Sequence, residues 1–322
     1  MQPFFLDDGF VAGVQAGHQR PGAAHDAGFR MTLRPLVRAT AALASAFVLA
    51  GAGFALACAF VLIGPGPAAA QAQPASSPGV TLADLTWQQA EKVLTPDAIV
   101  VIPLGAEAKE HGPHLRLKND LVLAQYFTRR VVERARVVVA PTLNYHFYPA
   151  FVEYPGSTSL RLETARDLVV DICRGLARFG PKRFYVLNTG VSTIRALTPA
   201  QDVLAADGIV MHFTDILTVG EEAEKAVRQQ EGGTHADEIE TSMMLYMDPS
   251  LVDMSKAAKD FHPQGTGGLT RDPKGPGTYS PTGIWGDATL ATREKGRRVV
   301  EAMVEGMLKE IETLRATPVP AR

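Results

Sequence analysis

The sequence has little cysteine and no excess of charge of either sign. Two cysteines, Cys58 and Cys173, occur among 322 residues, so the chain cannot build a disulfide framework or a cysteine-ligated metal site. Lys and Arg number 32 against 34 Asp and Glu, a balance that offers no basic surface to nucleic acid or to an acidic membrane. We therefore expect no nucleic-acid partner, and any metal must be bound by His, Asp and Glu.

Acidic residues are missing between Asp26 and Asp84. Within this gap Arg34 and Arg38 precede an apolar stretch, residues 41–63, and the small-residue sequence Ala-Gln-Ala follows at 70–72. This order is typical of a secretory signal peptide. The competing interpretation is an uncleaved membrane anchor, since the apolar stretch is long enough to cross a bilayer.

These features predict four segments. Residues 1–30 form an upstream extension that is expected to be disordered, and residues 31–72 form the signal peptide or anchor. Residues 73–80 are a polar, proline-bearing linker, and residues 81–322 form one domain. Cleavage after the signal peptide would place the protein in the periplasm or outside the cell.

Beyond the linker, helical patterns alternate with short runs of apolar and β-branched residues. Strands are predicted at 98–104, 136–140, 183–187 and 209–213, and helices at 86–93, 119–135, 163–179, 220–230 and 292–314. This alternation predicts an α/β domain with a mainly parallel sheet and helices on both faces. Ligand sites of such sheets lie in the loops beyond the carboxyl ends of the strands.

The loop after the first predicted strand is rich in groups that bind metals. It reads GAEAKEHGPHLRLKND over residues 105–120. Its titratable residues include Glu107, Lys109, Glu110, His111, His114 and Asp120. Imidazole together with carboxylate is the ligand set expected for Zn, Mn or Fe. The alternative interpretation is a charged loop exposed to solvent.

A second polar segment, GGTHADEIETSMML, spans residues 232–245. The Thr-x-x-Asp pattern that begins at Thr234 resembles a capping box and predicts a helix that starts at His235 or just before it. On such a helix Glu238 shares a face with His235, whereas Glu240 lies about 140° away. His235 and Glu240 can therefore serve one site only if His235 lies in a frayed first turn.

Four segments in this order resemble the creatininase (creatinine amidohydrolase) family. They are PLGAEAKEHGPHLRLKND, YPGSTSL, HADEIETSMML and TGIWGDATLATREKG. The resemblance spans nearly the whole chain after the linker. It implies a three-layer α/β/α domain, usually hexameric, with a pair of divalent metals at the carboxyl ends of the strands. The activity it implies is hydrolysis of a C–N bond in a small, often cyclic, amide.

The resemblance also assigns roles to individual residues. His111, Asp120 and Glu240 match family positions and are metal-ligand candidates, with Asp120 at the position that bridges both metals; Glu110, adjacent to a position that departs from the family, is a fourth candidate. The catalytic candidates, in the second matching segment, are His235 and Glu238. A divalent ion, Zn, Mn or Fe, would lower the pKa of its water towards ~7. His235 or Glu238 would then pass a proton to the leaving nitrogen.

Two positions depart from the family pattern. Lys109 stands where the family usually has Glu, and Gly190 stands where it has a metal-binding His. Either Glu110 replaces the shifted carboxylate, with water or His146 filling the imidazole position, or one metal is absent. A third alternative is that the ammonium of Lys109 substitutes for the missing cation, because a buried charge near Asp120 needs a partner. We favour a site with at least one metal, since three ligands remain.

Three functions are compatible with these residues. The leading hypothesis is an exported, homo-oligomeric amide hydrolase with a small-molecule substrate. The second is a binding protein on the same scaffold that has lost catalysis together with its altered ligands, and the third is a peptidase or deformylase. Metal content distinguishes the first from the second, whereas pocket shape decides between the first and the third.

Overall fold

The computed structural model of the protein describes residues 78–263 and 265–320. The upstream extension, the signal peptide and most of the linker lie outside these residues, so their boundaries stay predictions. None of the helices in the described part of the chain is long and apolar enough to cross a membrane.

A five-stranded parallel sheet forms the centre of the domain. Its strands are β1 (Val80–Thr81), β2 (Ile99–Leu104), β3 (Val138–Val139), β4 (Arg183–Asn188) and β5 (Val210–Phe213). They lie in the order β1-β3-β2-β4-β5, and every neighbouring pair is parallel. Because parallel strands are joined by crossover connections, helices cover both faces of the sheet.

Seven α-helices accompany the sheet in the described residues. They are α1 (Trp87–Val93), α2 (Asn119–Arg134), α3 (Leu162–Ala177), α4 (Ile194–Ala206), α5 (Glu221–Lys225), α6 (Glu238–Met247) and α7 (Arg293–Ala316). One core packs α2, α6 and α7 against one face of the sheet, and a second core packs α3 and α4 against the other. The predicted three-layer α/β/α architecture is confirmed.

Strand β2 shows why the sheet needs both helical layers. Ile99 and Val101 belong to the core with α2, α6 and α7, whereas Val100 and Ile102 belong to the core with α3 and α4. Successive side chains of a strand point to opposite faces. A strand that is apolar at every position is therefore stable only when both faces are covered.

Two predicted helices differ from the structure, and a third helix was not predicted. The helix expected at 220–230 is limited to Glu221–Lys225, and α4 was not predicted, because Pro199 interrupts its pattern. The helix expected from His235 begins at Glu238, and its N-cap is Asp237, whose carboxylate accepts from the backbone amides of Ile239 and Glu240. The predicted Thr234 capping box is therefore wrong, and His235 lies outside the helix.

Two short strand pairings and five 3-10 turns are also present in the described residues. The pairings are Lys259–Asp260 (β6) with Gly286–Asp287 (β9) and Leu269–Thr270 (β7) with Thr278–Tyr279 (β8). The 3-10 turns are Leu82–Asp84, Pro149–Phe151, Pro249–Leu251, Met254–Lys256 and Ala288–Leu290.

The ends of β2 and β4 determine where a site forms. Leu104 pairs with Asn188, so the loops that follow both strands leave the sheet side by side. Strand β3, which follows β2 in the chain, lies on one side of β2, and β4 lies on the other side. The strand order therefore reverses at β2, and crevices open at such switch points. Gly105 allows the end of β2 to lie close to the start of α2, because a Cβ at this position would collide with the backbone carbonyl of Asp120.

Candidate metal centre

Three segments meet in the crevice. The loop after β2 carries Lys109, Glu110 and His111, and the first turn of α2 carries Asp120. The third segment is the approach to α6 with its first turn, which carry His235 and Glu240 respectively. Five of these six residues are classed as buried, and the carboxylate side chain of Glu240 is only 12% exposed. The structure thus brings together two regions of sequence separated by more than a hundred residues.

His111 is oriented by its own loop. A carbonyl oxygen only accepts hydrogen bonds, so Nδ1 of His111 donates to the carbonyl oxygen of Lys109, at 2.9 Å. Nε2 then faces Oδ1 of Asp120 at 2.8 Å and Oε1 of Glu240 at 3.4 Å. A ring nitrogen that faces two carboxylate oxygens requires a positive charge among them, supplied by a proton or by a metal ion.

The pKa of His111 reflects the same need for a positive charge beside the two carboxylates. Burial disfavours the imidazolium, but the negative charges of Asp120 and Glu240 outweigh it and raise the pKa of His111 to about 9. Burial also opposes ionisation of Asp120, yet Lys109 and His111 lower the pKa of that carboxyl below its usual value. A cation that took the place of the proton on Nε2 of His111 would be held by the carboxylates of Asp120 and Glu240.

His235 approaches the same point from the opposite segment. Its backbone pairs with Trp285, donating to the carbonyl of Trp285 at 3.2 Å and accepting from its amide at 2.9 Å. Its Nε2 lies 3.0 Å from Oε2 of Glu110, and its Nδ1 lies 3.8 Å from Oε2 of Glu240. Because His235 precedes the helix, the angular separation expected between His235 and Glu240 does not apply.

Ala236 makes this convergence possible. Its φ of 49° is in the left-handed region, which residues other than glycine adopt only when surrounding contacts hold them there. The amide of Ala236 donates to Oε2 of Glu240 at 2.7 Å. Asn119 donates to Oε1 of the same carboxylate at 2.9 Å, an interaction that sequence analysis missed, although Asn119 directly precedes Asp120.

Glu238 is not brought to this cluster. Its side chain is fully buried and pairs with Lys295, with Nζ 2.5 Å from Oε1. The other carboxylate oxygen accepts from the backbone amides of Gln229 and Gln230, at 2.8 and 2.7 Å. These bonds tie α6 to α7 and to the preceding loop, so the structure gives Glu238 a structural role in place of the proton transfer considered above.

The donor set fits a transition-metal ion. Ligand atoms of His111, His235 and Glu240 all lie within 4.8 Å of one another, and Oδ1 of Asp120 is in contact with the same nitrogen of His111. Two imidazoles with carboxylates suit Zn, Mn or Fe. The residues present therefore fit a divalent ion bound through His111, Asp120 and Glu240, with His235 at its edge.

The two departures from the family pattern have different surroundings. The ammonium of Lys109 lies 2.7 Å from Oδ2 of Asp120. A Cβ at Gly190 would lie 3.0 Å from Thr193 and 3.3 Å from Tyr148, so those residues fill the space of a side chain there. Nε2 of His146 donates to the carbonyl oxygen of Ala165, at 3.1 Å, and His146 is not part of the cluster.

A pocket opens directly onto these groups. Lys109, His235 and Glu240 contribute to its lining, together with Thr189 and Ser192 from the loop after β4. Phe151 forms part of the wall, with its ring 4.3 Å from that of His235. Sequence analysis did not single out Phe151, because an isolated aromatic residue in a loop has no pattern that marks it.

The fold and the site define the class of protein. A buried set of imidazoles and carboxylates, at the carboxyl ends of parallel strands and open to a pocket, is typical of metal-dependent hydrolases. The chain belongs to the creatininase family, because the family model for creatinine amidohydrolase matches residues 83–311. It is accordingly a creatininase-like amidohydrolase, which acts on C–N bonds.

Individual relatives agree with this family assignment. A creatinine amidohydrolase of Pseudomonas putida is 30% identical over 259 residues, which cover 73% of this chain and 97% of the relative. A mycofactocin precursor peptide peptidase of Mycobacterium tuberculosis is 28% identical over 223 residues, which cover 66% of this chain and 84% of the relative.

Solved structures support the same fold. A structure described as "Creatininase Mn" matches with a TM-score of 0.64 and 26% identity, over 74% of this chain and 100% of that chain. A mutant creatininase described as "Zn-Zn type" matches with a TM-score of 0.61 and 26% identity, over 74% of this chain and 98% of that chain.

Proposed function

We propose that this protein is an exported, metal-dependent amidohydrolase that hydrolyses a C–N bond of a small amide, with cyclic amides among the candidate substrates. The observation that carries the proposal is the convergence of Nε2 of His111 with one oxygen each of Asp120 and Glu240, at 2.8 and 3.4 Å. Such an arrangement is electrostatically unfavourable without a cation. The Mn and Zn in the descriptions of related creatininases support a divalent ion in this role.

Four residues would bind the ion or orient its ligands. His111, Asp120 and Glu240 would hold the ion, and Asn119 orients Glu240 by donating to it at 2.9 Å. When bound, a divalent ion supplies Lewis acidity, which acidifies a water molecule and polarises the amide carbonyl.

The Glu110–His235 pair is suited to move protons. Nε2 of His235 lies 3.0 Å from the carboxylate of Glu110, and that carboxylate is fixed in turn by the backbone amide of Gly112. Phe151 packs against the imidazole and limits the access of water to it. An imidazole held in one orientation by a carboxylate takes a proton from water and returns it to a leaving nitrogen.

A panel of amides tests the activity. We expect the purified domain to hydrolyse at least one of creatinine, small lactams, N-formyl amino acids or short peptides, and to lose that activity when a chelator removes the metal. The loss should exceed about 10³-fold, because water in the absence of the ion is a poor nucleophile at neutral pH. Release of amine or carboxylate measures it, and restored activity on adding back Zn²⁺ or Mn²⁺ is the control.

The panel also separates the alternatives. Activity restricted to peptides would favour the peptidase alternative, which the similarity to a peptide peptidase supports. A domain that contains no metal and hydrolyses none of the compounds, with or without added ions, would contradict the proposed activity and favour a binding protein.

Export rests on the N-terminal sequence. Arg34 and Arg38, the apolar stretch at 41–63 and the Ala-Gln-Ala sequence at 70–72 support a cleaved signal peptide, and the family model starts only at residue 83. We expect N-terminal sequencing of the exported protein to begin at or near Gln73, in the periplasm or the medium. An intact chain recovered from the membrane would contradict this. The proposed homo-oligomer, a hexamer by family resemblance, would assemble after export.

A further inference from the structure

We propose that the ammonium of Lys109 occupies a second cation position of the site, so that the centre combines one divalent ion with one ammonium, and that this ammonium binds the amide oxygen of the substrate. The inference deepens the proposed function and rests on it. It assigns a catalytic role to Lys109, although lysine is not one of the residue types expected to bind a metal at this site.

Lys109 is held firmly inside the protein. The residue is 5% exposed, and its amide donates to the carbonyl of Leu117 at 3.2 Å while its own carbonyl accepts from His111. The ammonium lies 2.7 Å from Oδ2 of Asp120 and over the rings of Phe151 and Tyr148, 4.8 and 5.7 Å from their centroids. A carboxylate and two aromatic faces form a cage that is selective for a cation.

Asp120 joins two cation positions. One of its oxygens faces Nε2 of His111, where the ion is expected, and the other faces Lys109. A single carboxylate that links an ion position to an ammonium places the two positive charges close to each other. Tyr148, which flanks the ammonium, also limits the space at Gly190, so the surroundings favour Lys109 over an additional ligand.

The charges of the site match one divalent ion. Glu110, Asp120 and Glu240 are the three carboxylates in contact with the two imidazoles. Three negative charges and the one ammonium of Lys109 give a net charge of −2 when the imidazoles are neutral. One divalent ion offsets this charge, whereas a second would leave buried positive charge without a partner. A carboxylate at position 109 would make the charge −4, which two divalent ions offset.

The ammonium is also placed to meet a substrate. Lys109 lines the pocket beside His235 and Glu240, and no other lysine or arginine is among the described residues that line it. As water adds to the carbonyl carbon, the electron pair of the C=O bond moves to oxygen, where an N–H of Lys109 donates a hydrogen bond. His235 accepts a proton from the added water and donates it to the nitrogen; the C–N bond then breaks, the nitrogen leaves as the amine, and the electron pair returns to re-form the C=O bond. Lys109 remains an ammonium throughout.

Metal content tests the first half of the proposal. Elemental analysis and calorimetric titration of the metal-free protein with Zn²⁺ should give one ion per chain for the unmodified protein and two for Lys109→Glu. Lys118→Glu is the matched control, because it makes the same change of charge at an exposed position just outside the site. It should keep one ion.

Turnover tests the second half. Lys109→Met should retain one Zn²⁺ per chain but lower kcat by about 10²–10³-fold on the amide that the panel identifies, as loss of one oxyanion donor does elsewhere. Turnover of Lys109→Met equal to that of the unmodified protein would overturn the role in substrate binding.

The outcomes separate this inference from the proposed function. Two tightly bound ions in an active, unmodified protein would overturn the inference and leave the hydrolase proposal intact. No bound ion and no metal-dependent hydrolysis would overturn both. The ion count of the unmodified protein decides the metal half even if neither Lys109 variant folds.

Discussion

Asp120→Asn should abolish tight metal binding. The carboxylate contacts both Nε2 of His111 and the ammonium of Lys109, at 2.8 and 2.7 Å. The amide keeps the shape of the side chain but removes the negative charge that offsets the cation. We expect Zn²⁺ affinity to fall by on the order of 100-fold or more. This is a larger loss than that caused by removing a residue that only hydrogen-bonds to a metal ligand. Metal content after dialysis and calorimetric titration measure the loss, and hydrolysis should disappear with the ion.

Two further variants make this result interpretable. Asp171→Asn removes a carboxylate from an exposed position of α3 and should leave metal binding unchanged. Asp120→Asn also leaves Lys109 with an unpaired buried charge, which costs about 3 kcal/mol of stability. Glu240→Gln removes a ligand without affecting that pair, so it should lose the ion while its circular dichroism and Tm stay close to normal. Full metal occupancy in both Asp120→Asn and Glu240→Gln would contradict the assigned centre.

His235→Ala should reduce turnover more than metal affinity. Its Nε2 is paired with Glu110 at 3.0 Å, while its Nδ1 is 3.8 Å from Glu240, so its stronger contact is with the proposed proton-transfer partner. Removing a positioned acid–base group costs about 10²–10⁴-fold, and we expect a fall in kcat of about 10³-fold with the ion retained. Steady-state kinetics at saturating metal, together with the metal content of the same preparation, measure the two effects separately.

Matched substitutions show whether the effect belongs to the pair. Glu110→Gln retains the imidazole but removes the carboxylate that contacts it at 3.0 Å and holds its orientation, so its loss of turnover should be smaller than that of His235→Ala. His212→Ala removes an imidazole whose side chain is 46% exposed, on β5, and should have no effect. If His235→Ala lost the ion as readily as Asp120→Asn, His235 would be a metal ligand and not the proton carrier.

Local sequence pattern determined most of the architecture. The apolar runs at β2 and β4 and the helical spacing of α2, α3 and α7 predicted these elements to within a few residues of their observed ends. The alternation of strands and helices predicted the parallel sheet, because only crossover connections join parallel neighbours. The pattern failed at α4, where a proline is accommodated inside a helix that packs against α3.

The sequence by itself also determined the chemistry of the site. The scarcity of cysteine, the loop from Gly105 to Asp120 and the segment from His235 to Glu240 limited any metal to imidazole and carboxylate ligands. The family follows from the same segments, and the family model confirms it. These conclusions depend on which residues are present and on their order.

Only the tertiary structure decided which contacts each of two neighbouring residues makes. Glu238 and Glu240 are two positions apart, yet the first pairs with Lys295 and the second with His111, because successive positions of a helix point in different directions. Lys109 and Glu110 are adjacent, yet one contacts Asp120 and the other His235. These contacts arise from the path of a loop and from the left-handed backbone at Ala236, which the surrounding packing imposes and no local pattern encodes.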